Sequence, residues 1–321
     1  MRLEGIALPL VRLALTEDLG GGDVTTDAVV DENAAGRARI EAKQEGVLAG
    51  SEVAALAFRE LDPDVRVEWH CPEGGALTRG VRVATIVGKA RAILSAERVA
   101  LNFLQRLSGV ATMARAFVKA VEGTGVGILD TRKTTPGLRF LEKHAVLAGG
   151  AGNHRFGLFD GILIKENHIL AAGGMKQAME RVKGVSEGIP VIIEAKTLEE
   201  ALDAADLAPT RVLLDNFTPG AIANVVKRLR GTGVEIEISG GIRLANVRDF
   251  AIPGVKYVSI GALTHSAPAL DLSLELERVG TAEAVAVSSR VAMGTMGDAK
   301  GAARSGAAPA GRPAKKGTAG S

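Results

Sequence analysis

The stretch ILDTRKTTPGLRFLEKHA, residues 128–145, decides how this chain is read. An apolar run stops abruptly at Asp130, Thr131, Arg132, Lys133, Thr134 and Thr135, Pro136 follows, and a helical pattern then begins. A turn needs polar residues, but glycine, asparagine or serine would serve it without two adjacent cations. Arg132 and Lys133 therefore point to an anion at the end of this strand. The theme recurs downstream. Short β-branched runs at 126–130 (VGILD), 161–165 (GILIK), 191–195 (VIIEA), 212–216 (VLLDN), 234–239 (VEIEIS) and 255–261 (VKYVSIG) each lead into a helical stretch. Strands alternating with helices imply parallel strands covered by helices. An α/β barrel and a doubly wound sheet both satisfy that pattern. The barrel is favoured because charged or hydroxyl residues collect at the C-terminal ends of nearly all the runs, where barrel active sites are assembled. Six runs are fewer than a complete barrel carries, so an incomplete barrel is predicted.

The first hundred residues read differently. GRARIEAKQEGVLAG (36–50), VRVEWH (65–70) and VRVATIVG (81–88) have strand character, EVAALAFREL (52–61) has helical character, and PEGGALTRG (72–80) is a turn-rich connection. This is an α+β unit. A long helical region, LSAERVALNFLQRLSGVATMARAFVKAVEG (94–123), links it to the barrel, and Gly109 is predicted to break that region into two helices. The predicted organisation is an α+β domain with its linker helix over 1–110, an α/β barrel over 111–280, and an Ala/Gly-rich basic tail over 281–321.

Composition narrows the function. With 321 residues, 46% of them hydrophobic, the chain can bury one large core or two modest ones. The single cysteine, Cys71, excludes an intrachain disulfide and a cysteine-based metal cluster, which suits a reducing cytoplasm. The N-terminal MRLEGIALPLVRLALTEDLG reads as an amphipathic helix, since Arg12 interrupts the apolar run and no small-residue cleavage pattern follows. No apolar run approaches the ~20 residues of a membrane-spanning helix, so no membrane partner is expected. Residues 298–321 carry five basic side chains and one acid; without them the formal charge of +2 becomes −2 for the rest of the chain. That tail lacks apolar periodicity and is expected to be disordered. Aromatic residues make up only 3%, so nucleic acid is not an expected partner.

The polar residues at strand ends are Arg132 and Lys133; Lys165 with Glu166, Asn167 and His168; Glu194; Asp215; Ser239, Gly240 and Gly241; and Gly261. His154 and Arg155 lie just before the second run, in GGAGNHRFGL (149–158). Four cations, two carboxylates and two glycine-containing turns suit a polyanionic substrate, and the carboxylates are available to a divalent metal. The turns ISGGI (238–242) and SIGAL (259–263) occupy the last two strand ends, where barrels often bind phosphate through backbone N–H groups. TEDLGGGDVTTD (16–27) reads as a loop of structural use. Two other readings stay open on the residues alone. Lys133 or Lys165 could serve as a Schiff-base amine, as in an aldolase, and the basic tail could belong to a non-catalytic binding protein.

Six separated motifs carry a resemblance. EDLGGGDVTT (17–26), ERVALNFLQRLSGVAT (97–112), DTRKTTPGLRFLEKHAV (130–146), NHRFGLFDGILIKENHI (153–169), LLDNFTP (213–219) and EISGGI (237–242) together resemble the quinolinate phosphoribosyltransferases, or nicotinate-nucleotide pyrophosphorylases, over about residues 8–278. The resemblance implies an N-terminal α+β open sandwich with an incomplete α/β barrel, and a homodimer. It implies the reaction of quinolinate with phosphoribosyl pyrophosphate to nicotinate mononucleotide, pyrophosphate and carbon dioxide, with Mg2+, in NAD biosynthesis. Carried over by position, the substrate-binding residues are Arg98, Thr131, Arg132, Lys133, His154, Arg155, Lys165, Glu194, Asp215, Ser239, Gly240, Gly241, Ile260, Gly261, Ala262 and His265. Lys133, Lys165, Glu194 and Asp215 are the implied catalytic residues, with Glu194 and Asp215 toward the metal. Arg98 is implied to reach the site of the neighbouring subunit. The chain departs from the family pattern at Leu147, where a basic residue is frequent, and at Ala195 and Lys196 after Glu194.

Overall fold

The computed structural model describes residues 3–280. In the N-terminal domain, α1 (Leu3–Leu19) and α2 (Val24–Val29) precede β1 (Ala35–Ala42) and β2 (Gly46–Val47). Then come α3 (Ser51–Leu61), β3 (Arg66–Trp69), β4 (Ala76–Leu77) and β5 (Arg82–Lys89). Side chains alternate along β1: Ala38, Ile40 and Ala42 are buried, while Arg37, Arg39 and Glu41 take the other face, as a period of two requires. Ala7, Val11 and Leu15, spaced by four, form the buried stripe of α1, which packs against α3. β2 and β4 make a separate two-stranded ribbon.

β5 leads directly into α4 (Ala90–Ala120), one helix of 31 residues and roughly 46 Å in length at 1.5 Å per residue. The sequence predicts a break at Gly109; the helix runs through it. The glycine answers a different need. A Cβ there would fall 2.0 Å from the carbonyl oxygen of Pro268, so its absence lets the chain cross the helix in contact. The division predicted at residue 110 thus falls inside a continuous helix that packs against α3 on one side and the barrel helix α5 (Arg139–Ala148) on the other.

The barrel strands are β6 (Gly127–Leu129), β7 (Ile162–Ile164), β8 (Val191–Ala195), β9 (Arg211–Asp215), β10 (Glu235–Ser239) and β11 (Tyr257–Ser259). All pairings are parallel, in the order β6-β11-β10-β9-β8-β7. β6 and β7 do not pair; Leu129 instead makes an isolated bridge to Gly152, and the barrel is incomplete there. Between strands run α5, α6 (Glu166–Ala172) with α7 (Met175–Lys183), α8 (Leu198–Asp206), α9 (Pro219–Leu229) and α10 (Val247–Phe250), with α11 (Ala262–His265) after the last. Their starts are encoded locally. Thr197 and Thr218 accept hydrogen bonds from Glu200 N and Ala221 N, and Pro219 takes the first turn of α9. Because every strand points the same way, all six C-terminal ends share one edge.

β12 (Leu272–Gly280) corrects the predicted barrel span. It pairs antiparallel with β1 and completes a four-stranded sheet of order β12-β1-β5-β3. Its alternation is legible in sequence, but its partner lies more than two hundred residues earlier, and no local pattern discloses such a pairing. The tail predicted from residue 281 lies outside the described residues. Among those described, no helix is long and apolar enough to cross a membrane.

Candidate active site

The loop after β6 is built from its own hydroxyls. Thr131 Oγ1 accepts Lys133 N–H at 3.0 Å, and Thr264 Oγ1 donates to the Lys133 carbonyl at 2.7 Å. Thr135 anchors the far side: its N–H and hydroxyl reach Glu142 at 3.0 and 2.7 Å, and Glu142, wholly buried, also receives Arg106 at 2.7 Å. Arg106, on α4, donates as well to the carbonyls of Ala267, at 2.8 Å, and Thr264. One arginine therefore ties the loop after β6 to the loop after β11. The result brings Lys133 against Gly261 and His265: a Cβ on Gly261 would lie 2.9 Å from Lys133 Cδ and 3.2 Å from the His265 ring. His265 Nδ1 in turn meets Ser266 Oγ at 2.6 Å.

At this mouth Arg132 and Arg155 are near enough for their charges to act on each other. The Arg155 guanidinium is pushed down from its usual value by burial and by the charge of Arg132, and its NH1 donates to Gly161 O at 2.9 Å. Arg132 Nε is buried with no partner among the described residues. The Arg132 charge and burial both disfavour the Arg155 cation, while Asp160 offsets part of that. Lys165, half exposed at the end of β7, pairs with Glu194 near the end of β8. Asp215 closes β9 and accepts from Asn216 Nδ2 at 2.9 Å. Asn216 has φ +61 and packs on Gly240 (φ +97), where a Cβ would come within 2.2 Å of Asn216 Oδ1; only glycine fits there. Ser239 and Gly241 flank that turn.

Four expected residues stand differently. Ile260 is buried and its N–H donates to Leu129 O at 2.9 Å, so that amide already has a partner; Ala262 opens α11. His154 has its ring turned inward, with Nε2 3.3 Å from buried Glu237. Arg98 is 59% exposed on α4, 3.7 Å from neighbouring Glu97.

Beneath the mouth lies a polar layer that the strand-end reading passed over. Asp130 and Lys143 are both buried and pair at 2.5 Å. Burial pushes the Asp130 carboxyl up and the Lys143 ammonium down, and each draws the other back toward its charged form. Removing one partner of such a pair costs about 3–5 kcal/mol. Glu237, also buried, accepts from Arg211 NH1 at 2.7 Å and from Ser259 Oγ. Asp130 ends the apolar run of the opening stretch and Glu237 lies between buried Ile236 and Ile238 in β10, so a carboxylate within a buried run was the available signal.

The fold and this mouth define an α/β-barrel enzyme whose site is built for a polyanion. The comparisons with known proteins give it a family. Residues 23–108 match the N-terminal domain and residues 110–275 the C-terminal domain of quinolinate phosphoribosyl transferase. A Bacillus subtilis protein named "probable nicotinate-nucleotide pyrophosphorylase (carboxylating)" is 41% identical over 261 residues, 81% of this chain and 90% of that protein. Quinolinate phosphoribosyltransferase (decarboxylating) 1 of Nicotiana glauca is 40% identical over 84% of this chain and 81% of its own. Among solved structures, NadC from Streptococcus pyogenes superposes with a TM-score of 0.83 at 36% identity, covering 87% of this chain and 98% of that one. The chain belongs to the quinolinate phosphoribosyltransferase family.

Proposed function

We propose that this chain condenses quinolinate with phosphoribosyl pyrophosphate, giving nicotinate mononucleotide, pyrophosphate and carbon dioxide. The observation that carries the reading is the cation pair at the mouth, Arg132 with an unmet buried donor set against Arg155, beside Lys133. The pyridine nitrogen of quinolinate displaces pyrophosphate at the ribose anomeric carbon, so positive charge builds on the sugar and negative charge on the leaving group. Arg132 and Arg155 suit the two substrate carboxylates, each able to pair in bidentate fashion. Lys133, held against Gly261 and His265, faces the phosphate side. Lys165, released from Glu194 by an incoming carboxylate, completes the cationic wall. Asp215 and Glu194 are placed to accept ribose hydroxyls, and the glycines at 240, 241 and 261 leave room for phosphate oxygens. Once the ring nitrogen is quaternary, loss of the 2-carboxylate leaves a carbanion beside a cation, and the substrate stabilises much of its own decarboxylation.

No three His, Cys, Asp or Glu side chains converge among the described residues. Glu194 and Asp215 on adjacent strands fit Mg2+, which binds through one or two carboxylates plus substrate phosphates. Bound there, it would neutralise charge on the departing pyrophosphate. Exposed Arg98 supports a homodimer in which it enters the partner's site. Free Cys71 supports a cytoplasmic setting.

The test is substrate choice. With phosphoribosyl pyrophosphate and Mg2+, quinolinate yields nicotinate mononucleotide and nicotinate does not, because groups arranged for two carboxylates are left partly unpaired by one. Comparable turnover on nicotinate overturns the reading.

A further inference from the structure

His154 stands at the mouth, and its backbone N–H, its carbonyl and ring Nδ1 are all hydrogen-bonded within the protein. Its backbone N–H donates to Asp130 Oδ1 at 2.8 Å, and its carbonyl accepts from Lys143 Nζ at 3.0 Å. Ring Nδ1 accepts the N–H of Arg155 at 2.7 Å. Ring Nε2 lies 3.3 Å from Glu237 Oε1, within ion-pair distance though off the line of a hydrogen bond. A ring nitrogen that accepts carries no proton, so the imidazole proton is on Nε2, facing the carboxylate. Only 8% of the side chain is exposed. Nε2 thus has a charged neighbour but no hydrogen-bond partner among the described residues.

Glu237 is held in its turn. Its second oxygen accepts from Arg211 NH1, which lies at the start of β9, with the guanidinium 4.2 Å from the Tyr257 ring. Ser259, at the end of β11, donates to the oxygen that faces His154. Burial opposes ionisation of Glu237, but the histidine, serine and arginine outweigh it and keep the carboxyl below its usual range. A buried carboxylate anchored from two other strands is a rigid post.

We infer that His154 and Glu237 are a positioning pair for Arg155, in which Glu237 fixes the imidazole and the imidazole fixes the Arg155 amide. The Asp130–Lys143 pair clamps His154 by its backbone N–H and carbonyl. This inference deepens the substrate site proposed above and rests on that reading for its kinetic consequence. In this pair His154 acts through Arg155, as a positioning residue.

The test uses the full-length protein and the variants His154→Ala, His154→Asn, Glu237→Gln and the double variant Glu237→Gln/His154→Ala. Asparagine places an amide oxygen near the position of Nδ1 and keeps the acceptor for Arg155. The expected result is a rise of about ten-fold in KM for quinolinate in His154→Ala and in Glu237→Gln, the size of one lost buried hydrogen bond, with KM for phosphoribosyl pyrophosphate unchanged. The double variant is no worse than His154→Ala alone, and His154→Asn recovers most of the loss. Multiplying single effects, or His154→Asn no better than His154→Ala, overturns the inference; the second comparison decides even if Glu237→Gln does not fold. Amide hydrogen exchange separates this from the enzymatic reading, because faster exchange confined to residues 153–161 in His154→Ala is expected whatever the substrate. Unchanged exchange there also overturns the pair.

Discussion

Cations line two regions of this molecule in different company. On the outer face of the N-terminal sheet, Arg37 meets Glu277 at 3.3 Å, Arg39 meets the same carboxylate at 3.1 Å, Arg82 reaches it at 2.6 Å, and Lys43 meets Glu41 at 2.9 Å. At the barrel mouth, Lys165 has Glu194, but Arg132 keeps a buried donor unpartnered and its charge acts on Arg155. Cross-strand ion pairs on a sheet are the ordinary way to place charge on a solvated face, and each stabilises little. Unpaired cations gathered together oppose one another. The difference teaches that the sheet charges complete themselves within the chain, whereas at the mouth Arg132 keeps a buried donor unmet.

The largest expected effect breaks the mouth. Lys133→Ala or Arg132→Ala lowers kcat/KM by about a thousand-fold, the range for removing one positioned charge-stabilising donor, while the melting temperature stays close to wild type. Near-wild-type turnover in either variant would contradict the assignment of the mouth. Arg98 sharpens it across the subunit interface. Inactive Arg98→Ala mixed with inactive Lys133→Ala, under subunit exchange confirmed by mass spectrometry, regains about a quarter of wild-type activity, since half the dimers are mixed and one of their two sites is whole. No recovery would place Arg98 outside the partner's site.

The sheet gives the opposite pattern. Arg39→Met lowers thermal stability modestly and leaves kcat/KM unchanged; a large kinetic loss would mean that the sheet charges also serve the site. The smallest effect concerns His144 and Glu73, which bridge the two domains at 3.6 Å. Donation from its ring to the Glu73 carboxylate raises the His144 pKa above its usual value, against burial. A raised folded-state pKa stabilises fully below the unfolded value of about 6.5, and the contribution is lost as pH rises through the folded value. Wild type should therefore exceed His144→Gln in melting temperature at acidic pH, and the gap should close toward mildly alkaline pH. A gap independent of pH would remove the bridge.

The barrel was legible in the sequence because buried parallel strands are short β-branched runs and their polar ends fall on one edge. VIIEA at 191–195 is β8 residue for residue. Where the reading failed, the cause was long-range packing. Gly109 signals a break by propensity, but its role is to admit Pro268 from elsewhere in the chain. The alternation of LSLELERV in 272–279 marks a strand without naming β1 as its partner. Lys133, Arg132 and Asp215 stand at strand ends and could be picked out singly. The inward turn of His154 depends on Glu237, 83 residues later, and no spacing rule joins the two.

The central claim, that the cations at the mouth are completed by quinolinate and phosphoribosyl pyrophosphate, is tested most directly by carbon dioxide release from carboxyl-labelled quinolinate. Wild type should release label only when phosphoribosyl pyrophosphate is present, one molecule for each pyrophosphate formed, with Lys133→Ala silent and Arg39→Met unaffected. Release that does not require phosphoribosyl pyrophosphate, or none from wild type when both substrates and Mg2+ are supplied, would contradict it.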